Sequence, residues 1–370
     1  MNTEIILVKH PLDPASFRRP GQALASGRIV GFPTETVYGL GASALLPDAV
    51  REIFRLKGRP TDNPLIVHLL SAADVNQVAE SIPDAFHTLY EAFSPGPLTY
   101  VMPRRPDIPD EVTAGLSTVA VRFPSQPAAR ALLEAAGVPV VAPSANLSGR
   151  PSPTRARHVL DDFAGRIPFL IDDGPCEVGL ESTVIDLTSD PIRILRPGKI
   201  TAGNIFEQTG IPVVSWQEKT DKEKNGRPSS PGTKYRHYAP RARVVIVLPG
   251  TDATIAEAFL TEIDKERASI GLFLSEETWD AIRERLTSQS CHEDWAEREK
   301  KRQVPLNLYT YEGGRDLTRA MHHLFDALRT LDMRAVDIIY AEGFDGEEAT
   351  AYMDRLSKAA DVSEMTGEPG

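Results

Sequence analysis

Cysteine is scarce: the 370 residues hold two, Cys176 and Cys291, far apart and in no CxxC pair. A disulfide framework and the common zinc sites are therefore not expected, and a reducing, cytoplasmic setting is. No apolar run nears the roughly 18–20 residues that a membrane span needs. The opening MNTEIILVKHPLD lacks the basic stretch, apolar core and cleavage site of a signal peptide, so none is expected. Positive charge is in deficit as well. The formal net charge is −11, which argues against a protein that holds duplex nucleic acid over its whole surface, because phosphate neutralisation supplies most of that affinity. A phosphate-binding site must then be a local cluster of Lys and Arg. The phosphate-cradling pattern GxxxxGK[ST] is absent too. Gly174 and Gly179 have the spacing, but Leu180-Glu181 stands where Lys-Ser/Thr belongs, so any ATP site is built another way.

What is present has the balance of a soluble globular chain, 41% apolar and 25% charged. The length calls for two domains. Over residues 1–208, β-branched runs predict strands at 29–32, 65–69, 98–102, 119–123, 138–142, 169–172, 183–186 and 192–195. Helical periodicity marks 48–56, 73–81, 83–93, 126–136 and 156–163. The 30 prolines, many beside strands, predict a twisted, partly antiparallel sheet rather than a simple doubly wound one. Residues 209–243 are charged and rich in Pro and Gly and read as a linker. Residues 244–362 then predict four strand-then-helix units (strands 244–248, 270–274, 305–310 and 337–341; helices 252–267, 277–287, 316–331 and 347–360). These imply a small parallel α/β domain of Rossmann-like kind. Residues 363–370 read as a frayed tail, and no internal repeat is apparent.

Five segments concentrate polar groups at strand ends. In GFPTETVYGLG, Thr34, Glu35 and Thr36 follow a strand that stops at Pro33, where hydroxyls can satisfy backbone groups or grip a ligand. Gly39, Gly41 and Ala44 mimic a dinucleotide fingerprint, but residues 33–38 separate them from the strand they should follow directly. In REIFRLKGRPTDNPLIVHL, Arg51 and Arg55 lie one helical turn apart, and Lys57 and Arg59 flank the glycine that ends the helix. That mobile cation and planar fork suit a polyphosphate, although a basic helix end also complements its own dipole. His68 lies in an apolar strand, where packing is the commoner role. Arg122 is embedded in VAVRF and needs either an internal acid or a ligand carboxylate; the ligand is the favoured partner. The segment VVAPSANLSGRPSPT offers Ser144, Asn146, Ser148 and Ser152, and LESTVIDL leads through Ser182 to Arg196. In order, these segments suit a cleft for a nucleotide and a small polar ligand.

The same segments, PTETVYGLG, KGRPTDNPLIVH, VAVRFP, APSANLSGRPSPT and STVIDL…ILRPG, resemble the YrdC-like domain. SPGTKYRHYAP followed by a small α/β domain resembles the longer, Sua5-type form of the threonylcarbamoyl-AMP synthase family. One departure is Glu342-Gly343-Phe344-Asp345-Gly346-Glu347, where the resemblance leads one to expect a glycine-rich turn. The resemblance implies a YrdC-like mixed-sheet α/β domain followed by the second α/β domain. It also implies a nucleotidyltransferase that converts L-threonine, bicarbonate (or CO2) and ATP to threonylcarbamoyl-AMP and pyrophosphate, for threonylcarbamoyladenosine formation in tRNA. Carried over by motif, Thr36, His68, Arg122, Ala142 and Ser182 would hold threonine. Lys57, Arg59, Asn63, Thr118, Ser144, Asn146, Ser152 and Arg196 would hold ATP, with Tyr235 or His237 closing over it; Lys57 and Arg59 would be the catalytic pair. Mg2+ would arrive with ATP, and the product would pass to a tRNA threonylcarbamoyltransferase partner, with weak or indirect tRNA contact and no membrane. Two other readings are a non-catalytic RNA- or ribosome-binding module, disfavoured because acidic residues outnumber basic ones over 1–208, and carbamoyl transfer to another acceptor.

Overall fold

The computed structural model describes residues 2–216, 238–247, 268–288, 306–360 and 365–366. The chain divides into two compact units, Met1–Ser148 with Ser152–Tyr235 and Gly149–Pro151 with Arg236–Gly370. Most of the linker, including Tyr235 and His237, lies outside the described residues, as do the helix expected over 252–267 and Cys291.

The first unit is built on a mixed sheet of ten strands. In chain order they are β1 (Glu4–Leu7), β2 (Val30–Phe32), β3 (Gly39–Ser43), β4 (Ile66–His68), β5 (Leu98–Pro103), β6 (Thr118–Arg122), β7 (Val140–Val141), β8 (Phe169–Asp172), β9 (Thr183–Asp186) and β10 (Arg193–Arg196). Their order across the sheet is β1-β8-β2-β3-β7-β4-β6-β5-β9-β10. Parallel neighbours such as β4 with β6 alternate with antiparallel ones such as β5 with β6, the mixed topology expected from the prolines. The strand expected over 138–142 contracts to two residues because Pro139 and Pro143 bracket it and cannot donate to a ladder. The helix expected over 73–81 is a 3-10 turn, Ala72–Gln77, capped reciprocally by Ser71 and Asp74.

Strand alternation sorts β4, β6, β5 and β9 into two faces. Val67, Val119, Val121, Leu98, Tyr100, Met102 and Ile185 join the main core together with Ile53 and Phe54 of helix α2 (Pro47–Lys57) and Phe86 and Leu89 of helix α3 (Ala85–Phe93). Each alternate residue turns to the other face, where Ile66, Val101, Ala120 and Val184 form a separate apolar cluster with Leu195 packed against it. Helix α2 starts at Pro47 and ends on Gly58, whose φ of 60° glycine adopts without the strain a side chain would add.

The second unit carries an all-parallel sheet of β11 (Arg243–Val247), β12 (Ile270–Ser275), β13 (Leu306–Tyr311) and β14 (Ile338–Glu342), in the order β13-β12-β14-β11. Helices Glu276–Ser288, Leu317–Met333 and Thr350–Ala359 follow β12, β13 and β14. The tail is not wholly frayed: Met365–Thr366 forms a fifth strand, parallel to β11. The departure beginning at Glu342 has a structural use. Its fully buried carboxylate accepts from Ser275 N, Thr278 Oγ1, Tyr311 O–H and Arg315 Nε at 2.6–3.0 Å. It thereby ties together the carboxyl ends of β12, β13 and β14.

Candidate active site

The second face of the β4–β6–β5–β9 region carries His68, Arg122 and Thr118, and the strand register separates them into two groups. His68 is the Cα partner of Arg122, and Arg122 is the partner of Thr99. At the other end of β6, Thr118 pairs with Pro103. Four residues of extended strand, roughly 13 Å, separate Thr118 from Arg122. The apolar cluster of Ile66, Val101, Ala120 and Val184 fills the interval.

Arg122 organises the first group. It is 4% exposed, and its Nη2 donates to Glu35 Oε1 at 2.7 Å and its Nη1 to Thr36 Oγ1 at 2.8 Å; Nε reaches Gly96 O at 3.4 Å. The internal acid that a buried arginine requires is thus Glu35, one of the two partners that the sequence allowed. Glu35 is itself buried and accepts from Ser125 N through Oε2 at 3.2 Å. A guanidinium has five N–H groups, so two on Arg122 have no partner among the described residues. Thr36 is fully buried, and its hydroxyl meets Thr34 Oγ1 at 2.8 Å, so it acts on Arg122 rather than on open space. His68 places Nδ1 3.2 Å from Ile66 O and packs edge-on against Phe32. Burial first, then the Arg122 charge, pushes its pKa down to about 3, so the ring is neutral.

Ser182 and Arg196 complete this end. Ser182 Oγ lies 2.8 Å from Thr99 Oγ1, while Arg196 donates to Ser182 O from Nε at 3.1 Å and from Nη2 at 2.9 Å, and to its Oγ at 3.1 Å. Arg196, assigned to ATP by the resemblance, thus makes bonds to Ser182 of the threonine-assigned group. The register slip between Ile194 and Arg196 explains the placement, because a bulge re-aims the side chains beyond it. Gly198 is required here: a Cβ on it would lie 2.3 Å from Thr183 N.

At the opposite end Lys57 is 3% exposed. Its ammonium donates to the carbonyls of Ser144 and Asn146, the latter at 2.6 Å. Lys57, read from the sequence as a cation for a polyphosphate or for its own helix dipole, is a buried clamp on the loop that follows β7. Arg59 donates to Asn63 O at 3.3 Å and to Pro64 O at 3.0 Å, so it too shapes backbone. Ser144 Oγ meets Asn146 Oδ1 at 2.5 Å. The Asn63 side chain is fully buried, and neither its Oδ1 nor its Nδ2 has a partner, which is costly unless a ligand or water meets them. Arg51 and Arg55 are not part of this end; they are exposed and pair with Asp48, Glu111 and Glu52.

Backbone bonds join the loops that carry both groups. Tyr38 N donates to Pro153 O and Ala145 N to Tyr38 O, each at 2.8 Å; Val178 N donates to Glu35 O at 2.7 Å and Gly179 N to Thr36 O at 3.1 Å. Ser152 donates to Glu181 Oε1 at 2.6 Å, and Ala142 N donates to Ile66 O at 3.1 Å. Glu35, Thr99 and Glu181 were not among the sequence candidates. Glu35 was the most accessible of the three to reasoning, since a buried arginine needs an acid and PTETVY supplies one.

The Sua5/YciO/YrdC family, described as telomere recombination, matches residues 22–198, and the family described as threonylcarbamoyl-AMP synthase, C-terminal domain, matches residues 200–361. A threonylcarbamoyl-AMP synthase of Pyrococcus abyssi is 38% identical over 364 residues, 97% of this chain and 98% of its own. One from Bacillus subtilis is 41% identical over 341 residues, 91% of this chain and 90% of its own. The crystal structure of P. abyssi Sua5 complexed with L-threonine matches with a TM-score of 0.81 at 38% identity, covering 97% of this chain and 98% of that one.

Proposed function

The chain belongs to the Sua5-type threonylcarbamoyl-AMP synthase family, and from that premise we propose that the first unit holds its two substrates at opposite ends of one sheet face. As a member it is an enzyme: L-threonine, bicarbonate and ATP give threonylcarbamoyl-AMP and pyrophosphate. Threonine takes the Arg122 end, and ATP takes the end with Asn63, Ser144, Asn146 and Thr118. The observation that supports this most is the pair of polar groups divided by the apolar floor of Ile66, Val101, Ala120 and Val184.

The chemistry asks the protein for position rather than for a nucleophile. The deprotonated amine of threonine adds to CO2 and gives a carbamate. A carbamate oxygen then attacks the α-phosphorus, the bond to the β-phosphate oxygen breaks, and pyrophosphate leaves. Holding both reactants in line, and neutralising the charge that builds, is the catalytic task. Arg122, with two N–H groups to spare, takes the carboxylate in this reading. Asn63 gains in ATP the partner its buried amide otherwise lacks. Lys57 and Arg59 act through the backbone they hold rather than by direct transfer.

Mg2+ enters with ATP as part of the substrate. Glu35 and Glu181 are engaged by Arg122 and Ser152, and among the described residues no group of three or more His, Cys, Asp or Glu could hold a metal ion. In this reading phosphate oxygens and water supply most of its ligands. The mixed anhydride passes to a tRNA threonylcarbamoyltransferase, with no need for this acidic chain to grip tRNA tightly.

Pyrophosphate release tests the reading. It should require threonine, bicarbonate and Mg-ATP together, with omission of any one lowering the rate at least about 100-fold, the scale expected when reactants are no longer brought together. Release that continues without threonine or bicarbonate would contradict it.

A further inference from the structure

Two residues joined by one peptide bond serve different ends of the site. Ser182 belongs to the threonine-assigned group: its Oγ meets Thr99 Oγ1 at 2.8 Å, and its carbonyl accepts from Arg196. Glu181, the residue before it, reaches the ATP-assigned loop instead, where its Oε1 accepts from Ser152 Oγ at 2.6 Å. A carboxylate only accepts, so the hydroxyl proton of Ser152 is committed to Glu181. A hydroxyl held this close to a charged acceptor makes one of the stronger hydrogen bonds a protein offers. Both partners are buried, Ser152 completely. The chain around the pair has little slack. A Cβ on Gly198 would lie 2.7 Å from Ser182 C, and Thr183 N donates to Pro97 O at 3.0 Å. Upstream, Val178 N and Gly179 N donate to the carbonyls of Glu35 and Thr36, whose side chains accept from Arg122. Residues 178–183 are therefore fastened to the threonine end by their backbone and by Ser182, and to the ATP loop by the Glu181 carboxylate.

We propose that Glu181 is a positioning residue that couples the two substrate sites, so that threonine and ATP each raise the other's affinity. The proposal rests on the reading that threonine takes the Arg122 end and ATP the opposite one. Threonine bound against Ser182 fixes the segment that carries Glu181. The carboxylate is then aimed before ATP arrives, and Ser152 meets the nucleotide already oriented, with its proton spent and its oxygen left to accept. A loop held in advance gives up less freedom when ATP binds, and that saving is the added affinity. Backbone bonds between the two groups, such as Tyr38 N to Pro153 O, set the frame whatever the side chains do. The Glu181–Ser152 bond is different in kind, because a single substitution removes it and leaves that frame in place. Coupling between binding sites is reciprocal, so ATP must strengthen threonine binding by the same factor by which threonine strengthens that of ATP. Such coupling gathers both reactants before either is committed.

The test is calorimetry on the full chain with α,β-methylene-ATP and Mg2+, a nucleotide that cannot release pyrophosphate, titrated with and without saturating L-threonine. In the wild type, threonine should lower the Kd of the analogue at least about fivefold, the low end of coupling between sites. The analogue should lower the Kd of threonine by the same factor. Glu181→Ala should bring that factor to within about twofold of unity, while the Kd of threonine alone stays within about threefold of wild type. Glu181→Gln keeps an amide oxygen for Ser152 and should retain more of the coupling than Glu181→Ala. A merely structural role would weaken each ligand measured alone and leave the factor where it was. A factor unchanged in Glu181→Ala would overturn the proposal. So would a wild type in which both ligands bind and neither affects the other, a result that needs no variant to fold. Wild-type protein that binds no threonine would refute the functional reading itself, a separate outcome from binding without coupling.

Discussion

Replacing Glu35 with alanine is expected to destabilise the first unit by about 3–5 kcal/mol, the cost of leaving a buried charge without its partner. Threonine-dependent pyrophosphate release should fall below detection with it. Arg122 is 4% exposed and Glu35 carries its only acid contact among the described residues, at 2.7 Å. Without that carboxylate the guanidinium is stranded between Gly96 and Thr36, and Ser125 N loses its acceptor as well. Arg122→Leu alone should do comparable damage, because it strands the acid instead. Removing both charges together, as in Glu35→Met with Arg122→Met, should cost far less in stability than either single change, since a hydrophobic pair of similar volume often replaces a buried ion pair near neutrality. Urea titration of the three variants decides the matter. Additive losses in the double variant would show that the two residues are not a coupled pair.

Lys57→Ala is the second large effect, with an expected loss of about 100–1,000-fold in kcat/KM for ATP, two to three donor-acceptor contacts at roughly 1–2 kcal/mol each. The ammonium holds the carbonyls of Ser144 and Asn146, and it stands at the last turn of α2, just before the chain reverses at Gly58. Its removal frees the loop that carries Ser144 and Asn146 and leaves two carbonyls without a donor. Lys57→Arg should not restore activity, because a larger, planar guanidinium must fit a buried site filled by a compact ammonium. Threonine affinity measured without ATP should stay near the wild-type value, because the bonds of Arg122 run to Glu35, Thr36 and Gly96. Normal ATP kinetics in Lys57→Ala would remove this residue from the account.

Where the sequence could be read, period-two alternation did most of the work. TVAVR places Thr118, Ala120 and Arg122 on one face, and the structure gives that face to the site and Val119 and Val121 to the core. Phe169–Asp172, Thr183–Asp186 and Ala156–Phe163 stand where their patterns placed them. Strand β3 was hidden because GLGAS has glycines and small residues in place of β-branched ones; it is a strand because Phe32, Leu24 and Val140 crowd in where larger side chains would sit. Helix α1 (Ala15–Ala25) was hidden by Pro20 and Gly21, and Gly21 is there because Ala135 backbone passes within 2.6 Å of where its Cβ would be. Residue types announced the cations but not their partners. Nothing in a linear sequence says that carbonyls 4 to 89 residues away will accept hydrogen bonds from Lys57 and Arg59. The contact of Arg196 with Ser182 follows a bulge, a feature of pairing rather than of composition.

The central claim is that two substrates occupy opposite ends of one sheet face, and titration of the Glu35→Met, Arg122→Met double variant tests it most directly. Calorimetry should find ATP binding with Mg2+ within about threefold of wild type and threonine binding weakened at least about 100-fold, the loss of a bidentate charged contact. Equal loss of both ligands in a folded double variant, or undiminished threonine binding, would contradict the division of the site.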